Sequence, residues 1–147
     1  MKRRYPDQPL VGVAGLVFKE EAVLLVRRAR PPAVGQWSIP GGLVELGESL
    51  TTAVAREIME ETNLRVGVGP VVKVVERLKS DLQGRVVYHY VVVDYLCRLL
   101  GGELEAASDA AQARWVGPAE MDALGLPAET RTVIDKARLM AKRGVGP

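Results

Sequence analysis

The chain holds a single cysteine, Cys97, and a single histidine, His89. One cysteine excludes an intramolecular disulfide. Cys97 lies in the apolar run DYLCRLL and reads as a small buried strand residue; a reducing, cytoplasmic setting fits it. His89, within VYHYVVVDY, reads as a strand-face residue rather than a catalyst. Nowhere does an apolar run approach the ~20 residues of a membrane span, and the N-terminus lacks the apolar stretch of a signal peptide. Neither charge dominates: 20 Lys and Arg stand against 18 Asp and Glu, for a net charge of +2. The basic ends, MKRR and AKRG, are short and terminal, whereas nucleic-acid binders carry a basic stripe across the fold. Repeats and low-complexity linkers are absent as well. Together these absences predict a cytoplasmic protein that binds neither membrane nor nucleic acid.

The 147 residues suit one domain, within the usual ~100–200. With 48% hydrophobic and 26% charged residues, the chain reads as globular rather than disordered. Val11, Val13, Gly15 and Val17 alternate with Gly12, Ala14, Leu16 and Phe18. That pattern predicts a strand covered on both faces, with glycines allowing close approach. AVLLVRR, residues 22–28, predicts a second strand after a turn at Lys19, Glu20 and Glu21. RPPAVGQWSIPGG, residues 30–42, reads as a loop. Residues 50–62 predict a helix with Ser49 as N-cap and Thr51, Val54, Ala55, Ile58, Met59 and Thr62 on its inner side. Strands are expected at 68–78 and 85–100, joined by the hairpin loop KSDLQG. A short strand ARWV follows, then a short helix GPAEMDAL with Pro118 near its first turn, then a terminal helix at 127–143. Elements that mix without regular alternation predict an α/β fold, a mixed sheet with helices packed on its faces.

The helix at 50–62 carries an unusual load of acid. At about 100° per residue, Glu57 and Glu61 are neighbours one turn apart and Glu60 lies beside them. All three are expected to point away from Val54 and Ile58. Like charges at this spacing destabilise a helix by about 0.2–0.5 kcal/mol per pair, and the macrodipole disfavours anions near its C-terminus. Stability alone would place Lys there. One reading is a solvated acidic face. The other is a cation site: three carboxylates with no His or Cys nearby make a hard oxygen set, suited to Mg²⁺ or Mn²⁺ rather than Zn²⁺. Bound cations would remove the repulsion and polarise a phosphate. IPGG places backbone just ahead of the helix, where a carbonyl can reach the same metal. Arg56 lies beside the cluster, with Glu48 available as its ion-pair partner.

With these residues in view, GGLVELGESLTTAVAREIMEETNL resembles the Nudix box. Gly42 is followed after five residues by Glu48, then after seven by Arg56-Glu57, then by Ile58, Glu60-Glu61, Asn63 and Leu64 at the box spacing. One defined position departs: the box usually has glycine where this chain has Asn63. That position ends the helix in a left-handed conformation, for which Asn is the next-best residue. Outside the box, the glycine-rich first strand, VLLVRR, WSIPGG and the late ARWV are also similar to the family, so the resemblance covers most of the chain. It implies a Nudix fold, an α/β/α sandwich around a mixed β-sheet, as a single domain over 1–147.

The resemblance also implies chemistry. Nudix enzymes use divalent metal to hydrolyse a nucleoside diphosphate linked to another group. Carried over, Glu57, Glu60 and Glu61 would hold the metal, two or more ions of Mg²⁺ or Mn²⁺, together with the Gly41 carbonyl. Gly42, Glu48 and Arg56 would support the site. The general base would be Glu57 itself or an acid from GGELEAASDAAQARW. There Asp109 is preferred, and Glu103 and Glu105 read as solvated charge. Arg27 and Arg28 point to opposite faces of their strand, and the resemblance favours Arg28 for the phosphates. Trp37 either stacks on a base or packs the loop.

The expected partner is a small nucleotide. YPDQPLVGV, WSIPGGLVELGE and SDAAQARWV look like members described as ADP-ribose pyrophosphatases, which makes ADP-ribose or a nucleoside diphosphate sugar the first expectation. Pyrophosphohydrolysis of nucleoside triphosphates comes second, and dinucleoside polyphosphates third. Pro70 lies too near Leu64 to be the family's ADP-ribose marker, and the added N-terminal dimerisation region of many such enzymes is missing. A homodimer is left open. A ligand sensor without catalysis is disfavoured, because every box carboxylate is present.

Overall fold

A computed structural model describes residues 2–31 and 33–144. Its strands are β1 (Leu10–Lys19), β2 (Ala22–Arg28), β3 (Trp37–Ser38), β4 (Gly41–Leu43), β5 (Leu64–Ser80), β6 (Val86–Gly102) and β7 (Ala110–Val116). The helices are α1 (Leu50–Thr62), α2 (Pro118–Met121), which continues as a 3-10 turn over Asp122–Leu124, and α3 (Ala128–Lys142). The sheet runs β3-β2-β1-β6-β5, with β4 also on β1 and β7 also on β2. β1 and β6 are parallel, and the other pairs are antiparallel. The sheet is therefore mixed.

Both faces of β1 are covered, as its glycine-punctuated alternation implies. Leu16 joins Val72, Leu96, Val133 and Ile134 beneath α3. Val13 and Val17 join Val54, Ile58, Tyr95 and Cys97 beneath α1. Gly15 lets α1 approach: a Cβ there would lie 2.4 Å from Ile58 Cδ1. The architecture is an α/β/α sandwich.

Several boundaries differ from expectation. The loop at 30–42 contains β3 and β4, too short to show a two-residue period. β5 begins at Leu64 rather than residue 68. Gly67, Gly69 and Pro70 obscure its pattern, and the register shifts between Val68 and Val71 accommodate them. The hairpin loop shrinks to a turn in which Asp81 Oδ1 accepts from the N–H of Gln83 and of Arg85, both at 2.9 Å.

α1 begins where Ser49 accepts from the Thr52 N–H at 3.2 Å. It ends at Asn63, whose φ of 63° is left-handed. Its buried side needs correction. Ala53, Val54, Ile58, Glu61 and Thr62 are buried, while Thr51 is exposed and Met59 is 41% exposed. The inner face turns toward Glu61 because a second segment covers it. The N–H groups of Glu105 and Ala107 donate to the carbonyls of Thr62 and Glu61 at 2.9 and 3.1 Å.

One row of residues crosses four strands, β4, β1, β6 and β5. Gly41 pairs with Ala14, Ala14 with Asp94, and Asp94 with Lys73.

Candidate active site

The acids of α1 meet the backbone of β4. Gly41 N–H donates to Glu61 Oε1 at 2.8 Å. A Cβ on Gly42 would lie 2.3–2.5 Å from the atoms of the Glu57 carboxylate, so that carboxylate occupies the space a side chain would take. Contrary to expectation, Glu61 does not point away from Ile58 and Val54; it is 6% exposed. Burial pushes its carboxyl up to about 8, and the neighbouring Glu57 and Asp109 charges add to this against the Gly41 N–H and Arg28. Burial also raises Glu57, with Arg56 opposing it and Glu60 and Asp109 reinforcing it.

Arg56 is the hub beside them. Its Nε donates to Glu48 Oε2 at 2.6 Å and its Nη2 to Glu48 Oε1 at 2.9 Å. Nη2 also reaches the Leu43 carbonyl at 3.1 Å. Nη1 donates to Glu57 Oε1 at 2.9 Å and Glu60 Oε1 at 3.2 Å. The Glu48–Arg56 pair raised by the sequence is therefore formed. Arg56, with the Glu45 N–H, holds the Glu48 carboxyl down at about 2, and Arg56 itself is raised chiefly by Glu48.

Among the described residues, no three acids converge in ligating geometry, and Arg56 Nη1 is bound to both Glu57 and Glu60. The donor set nevertheless fits a hard divalent cation. It is all oxygen, anionic, spaced over adjacent turns of one helix, and short of positive charge at Glu61. Glu57 and Glu60 would have to leave Arg56 to join Glu61 and the Gly41 carbonyl.

Some of the remaining expected residues border a cleft of about 370 Å³, which Asp109 and the three acids of α1 do not line. Gly41, Gly42, Arg28 and Trp37 line it. Arg27 points elsewhere, its Nε on the Gly35 carbonyl at 3.3 Å. Trp37 packs, as one of the two readings expects. Its ring is buried in the core beneath α3, it borders the cleft, and the Arg114 guanidinium sits 5.5 Å from its ring centroid. Asp109 is half exposed and paired with Arg30 at 3.1 Å, yet close enough for its charge to act on both Glu57 and Glu61. His89 does not line the cleft, and Cys97 is buried with its thiol pushed up to about 12.

Sequence reasoning missed the far half of the cleft. Tyr88, Tyr90 and Asp94 of β6, Arg77 of β5, and Glu129 and Thr130 of α3 line it. The available signal was Asp94, a lone acid inside the apolar run VVVDYL.

Comparison with known proteins matches residues 8–139 to the NUDIX domain family. An "ADP-ribose pyrophosphatase" of Methanocaldococcus jannaschii is 37% identical over 114 residues, which is 78% of this chain and 65% of that protein. The chain thus spans just under two thirds of that relative. A Mycobacterium tuberculosis protein provisionally named 8-oxo-dGTP diphosphatase 2 is 36% identical over 132 residues, 87% of this chain and 88% of its own. Among solved structures, a MutT NUDIX hydrolase from Burkholderia pseudomallei superposes with a TM-score of 0.72 at 28% identity, covering 88% of this chain and 98% of that one.

Proposed function

The chain belongs to the Nudix family, and from that premise we propose that it is a pyrophosphohydrolase acting on ADP-ribose or a related nucleoside diphosphate sugar. The observation that carries this is the contact between α1 and β4. Glu57 and Glu61 abut Gly41 and Gly42, and those glycines border a cleft with room for a nucleoside. A pyrophosphate bond placed at this edge lies beside the acids, while the rest of the substrate occupies the cleft.

Nudix hydrolases in general depend on divalent metal. Here Glu57, Glu60, Glu61 and the Gly41 carbonyl would hold it. A bound cation supplies neutralisation of the phosphate charge and a lowered pKa for water. The chain supplies the rest. Arg28, on the cleft side of β2, binds a phosphate oxygen as a charge-assisted donor. Arg56 and Glu48 keep the loop ahead of α1 against the helix. Glu57, desolvated and raised above the ordinary carboxylate range, is suited to accept the proton of the attacking water, with Asp109 as the alternative acceptor. Trp37 presents an apolar wall to the nucleoside.

A second reading, hydrolysis of nucleoside triphosphates to monophosphates, is favoured by the mycobacterial relative, which matches over most of both chains and whose name denotes a diphosphatase. One screen separates them. The chain is incubated with ADP-ribose, nucleoside triphosphates and diadenosine polyphosphates in Mg²⁺, Mn²⁺ or chelator, and the products are identified. ADP-ribose should yield AMP and ribose 5-phosphate. Nucleoside monophosphate and pyrophosphate as the main products would select the second reading. Full hydrolysis in chelator, or of no substrate, would overturn both.

A further inference from the structure

Asp94 lies within β6, an interior strand flanked by β1 and β5. It is 4% exposed and lines the cleft. Among the described residues its carboxylate has no hydrogen bond and no ion pair. Arg77 and Lys73 act on it only through their field, since the Arg77 Nη2 is engaged by Glu129 Oε1 at 3.2 Å. A buried, unpaired carboxylate is costly, and Val or Leu would serve the strand better. Such a group aimed into a ligand cleft points to a ligand that completes it.

The position says which part of the ligand. Gly41, Ala14 and Asp94 share one row across β4, β1 and β6, so Asp94 stands two strands, ~10 Å at ~4.8 Å per strand, from the glycine that touches Glu61. A phosphate there would be repelled by the carboxylate. A nucleobase would not: Tyr90 and Tyr88, with ring centroids 5.8 Å apart, and Trp37 line the same cleft and offer it flat apolar surface. An anionic carboxylate accepts and cannot donate. It therefore suits a base edge that carries N–H groups.

We propose that Asp94 is a specificity-determining residue whose carboxylate oxygens accept N–H groups from the Watson–Crick edge of an amino-bearing purine. This rests on the pyrophosphohydrolase reading for its substrate but not for its recognition chemistry. Adenine presents its N6 amino group. Guanine presents N1–H and the N2 amino group side by side. Uracil and hypoxanthine set carbonyl oxygens beside a single N–H, and an oxygen facing the carboxylate is repelled.

Two measurements test it on wild type and Asp94→Asn. The first is steady-state hydrolysis of ADP-glucose, GDP-glucose and UDP-glucose, which share one sugar. The second is equilibrium binding of AMP, GMP, IMP and UMP in Mg²⁺, which needs no turnover. Wild type should prefer an adenine or guanine ligand over uracil by roughly tenfold to a hundredfold, the scale of one good base contact. AMP over IMP identifies adenine; GMP over IMP identifies guanine. In Asp94→Asn the preference should collapse, through a KM about tenfold higher or more for the preferred substrate with kcat little changed. A preference that survives the substitution, or a wild type with none, overturns the proposal. So does an equal loss of kcat on all three substrates with a lower melting temperature, which would make Asp94 structural. Asp94-dependent binding without hydrolysis would sink the activity reading alone. Hydrolysis with Asp94-independent preference would sink this proposal alone.

Discussion

Gly41 N–H donates to Glu61 Oε1 across 2.8 Å, tying the last turn of α1 to a strand twenty residues earlier. The bond is one half of a two-point junction. The other is the Glu57 carboxylate, which fills the space beside Gly42. Side chains that would normally sit in solvent are thus set against backbone, and burial raises the proton affinity of both. An acid held this way gains little from the fold itself. On the proposed function, that arrangement serves to bind a divalent cation.

The two glycines should separate stability from activity. A Cβ at Gly41 would come within 2.1 Å of the Val13 carbonyl oxygen and 2.8 Å of Ala14 Cα, which are backbone. Gly41→Ala should therefore cost about 1–3 kcal/mol of stability. At Gly42 the obstacle is the end of a side chain, so Gly42→Ala should displace Glu57, cutting turnover at least ~tenfold while the melting temperature changes little. Melting curves and initial rates on both variants decide it. A Gly42→Ala enzyme of full activity would show that Glu57 has no fixed part in the reaction.

Arg56→Ala should lower both activity and stability. It leaves Glu48 without its fork of two donors and removes the nitrogen shared by Glu57 and Glu60. Arg56→Lys should rescue little, because one ammonium cannot reproduce the planar fork. The melting temperature should fall by ~2–4 °C for each kcal/mol lost in a chain of this size. Unchanged melting with a raised KM alone would instead make Arg56 a substrate ligand.

How legible was this site beforehand? The acids of α1 and the left-handed turn at Asn63 follow from local spacing and local backbone preference, which a sequence carries in full. The burial of Glu61 does not. It depends on the segment around Glu105 and Ala107 folding back over the helix end, a contact more than forty residues away in sequence. Asp94 was hidden for a similar reason: nothing within VVVDYL says that it pairs across the sheet with Ala14 and Lys73 and lines a cleft bordered by the glycines of β4. β3 and β4 escaped because two and three residues are too few to display a period. Trp37 was left between stacking and packing, and local sequence could not choose, because its packing in the core and its place at the cleft depend on distant strands and α3.

Asp109 tests the choice of base. It is half exposed and bound to Arg30, so Asp109→Asn should leave the melting temperature within ~2 °C, as surface substitutions do. If Asp109 takes the proton, the rate should fall by roughly 10²–10⁴-fold, the usual worth of general base catalysis. A variant within a few-fold of wild type would assign the base to Glu57.

Asp94 predicts a pH dependence of stability. Burial lifts its carboxyl from 3.8 to about 6, with Arg77 and Lys73 opposing and Glu129 reinforcing. The folded state then holds a proton that the unfolded chain has released. Its stabilising contribution is complete below about pH 4 and lost as pH rises through about 6. The loss amounts to at most about 3 kcal/mol. Urea unfolding in chelator at pH 4.5 and 7.5 should show that slope in wild type and a smaller one in Asp94→Asn. Equal slopes would mean that Asp94 titrates near its ordinary value.

Glu61→Gln should trade activity for stability, which separates a metal ligand from a structural latch. Gln keeps the acceptor for Gly41 N–H, so the junction between α1 and β4 survives. It removes a carboxylate whose proton affinity burial has pushed up to about 8. In the wild type without metal, the stability this group lends is present below about pH 4 and declines as pH rises through about 8. The variant lacks that decline, so in chelator it should match wild type below about pH 4 and melt increasingly higher than wild type as pH rises toward about 8. Metal must displace the proton that Glu61 retains, so wild-type affinity for Mg²⁺ should rise between pH 6.5 and 8.5. The variant should bind Mg²⁺ weakly with less of that rise. Turnover at saturating Mg²⁺ should fall by roughly 10²–10³-fold, the scale of losing one electrostatic stabiliser of a transition state. Calorimetric titration with Mg²⁺, melting in chelator across pH, and initial rates give the three readouts. A variant that turns over near the wild-type rate removes Glu61 from the metal site. One that melts far lower in chelator shows that the charge itself holds α1 to β4.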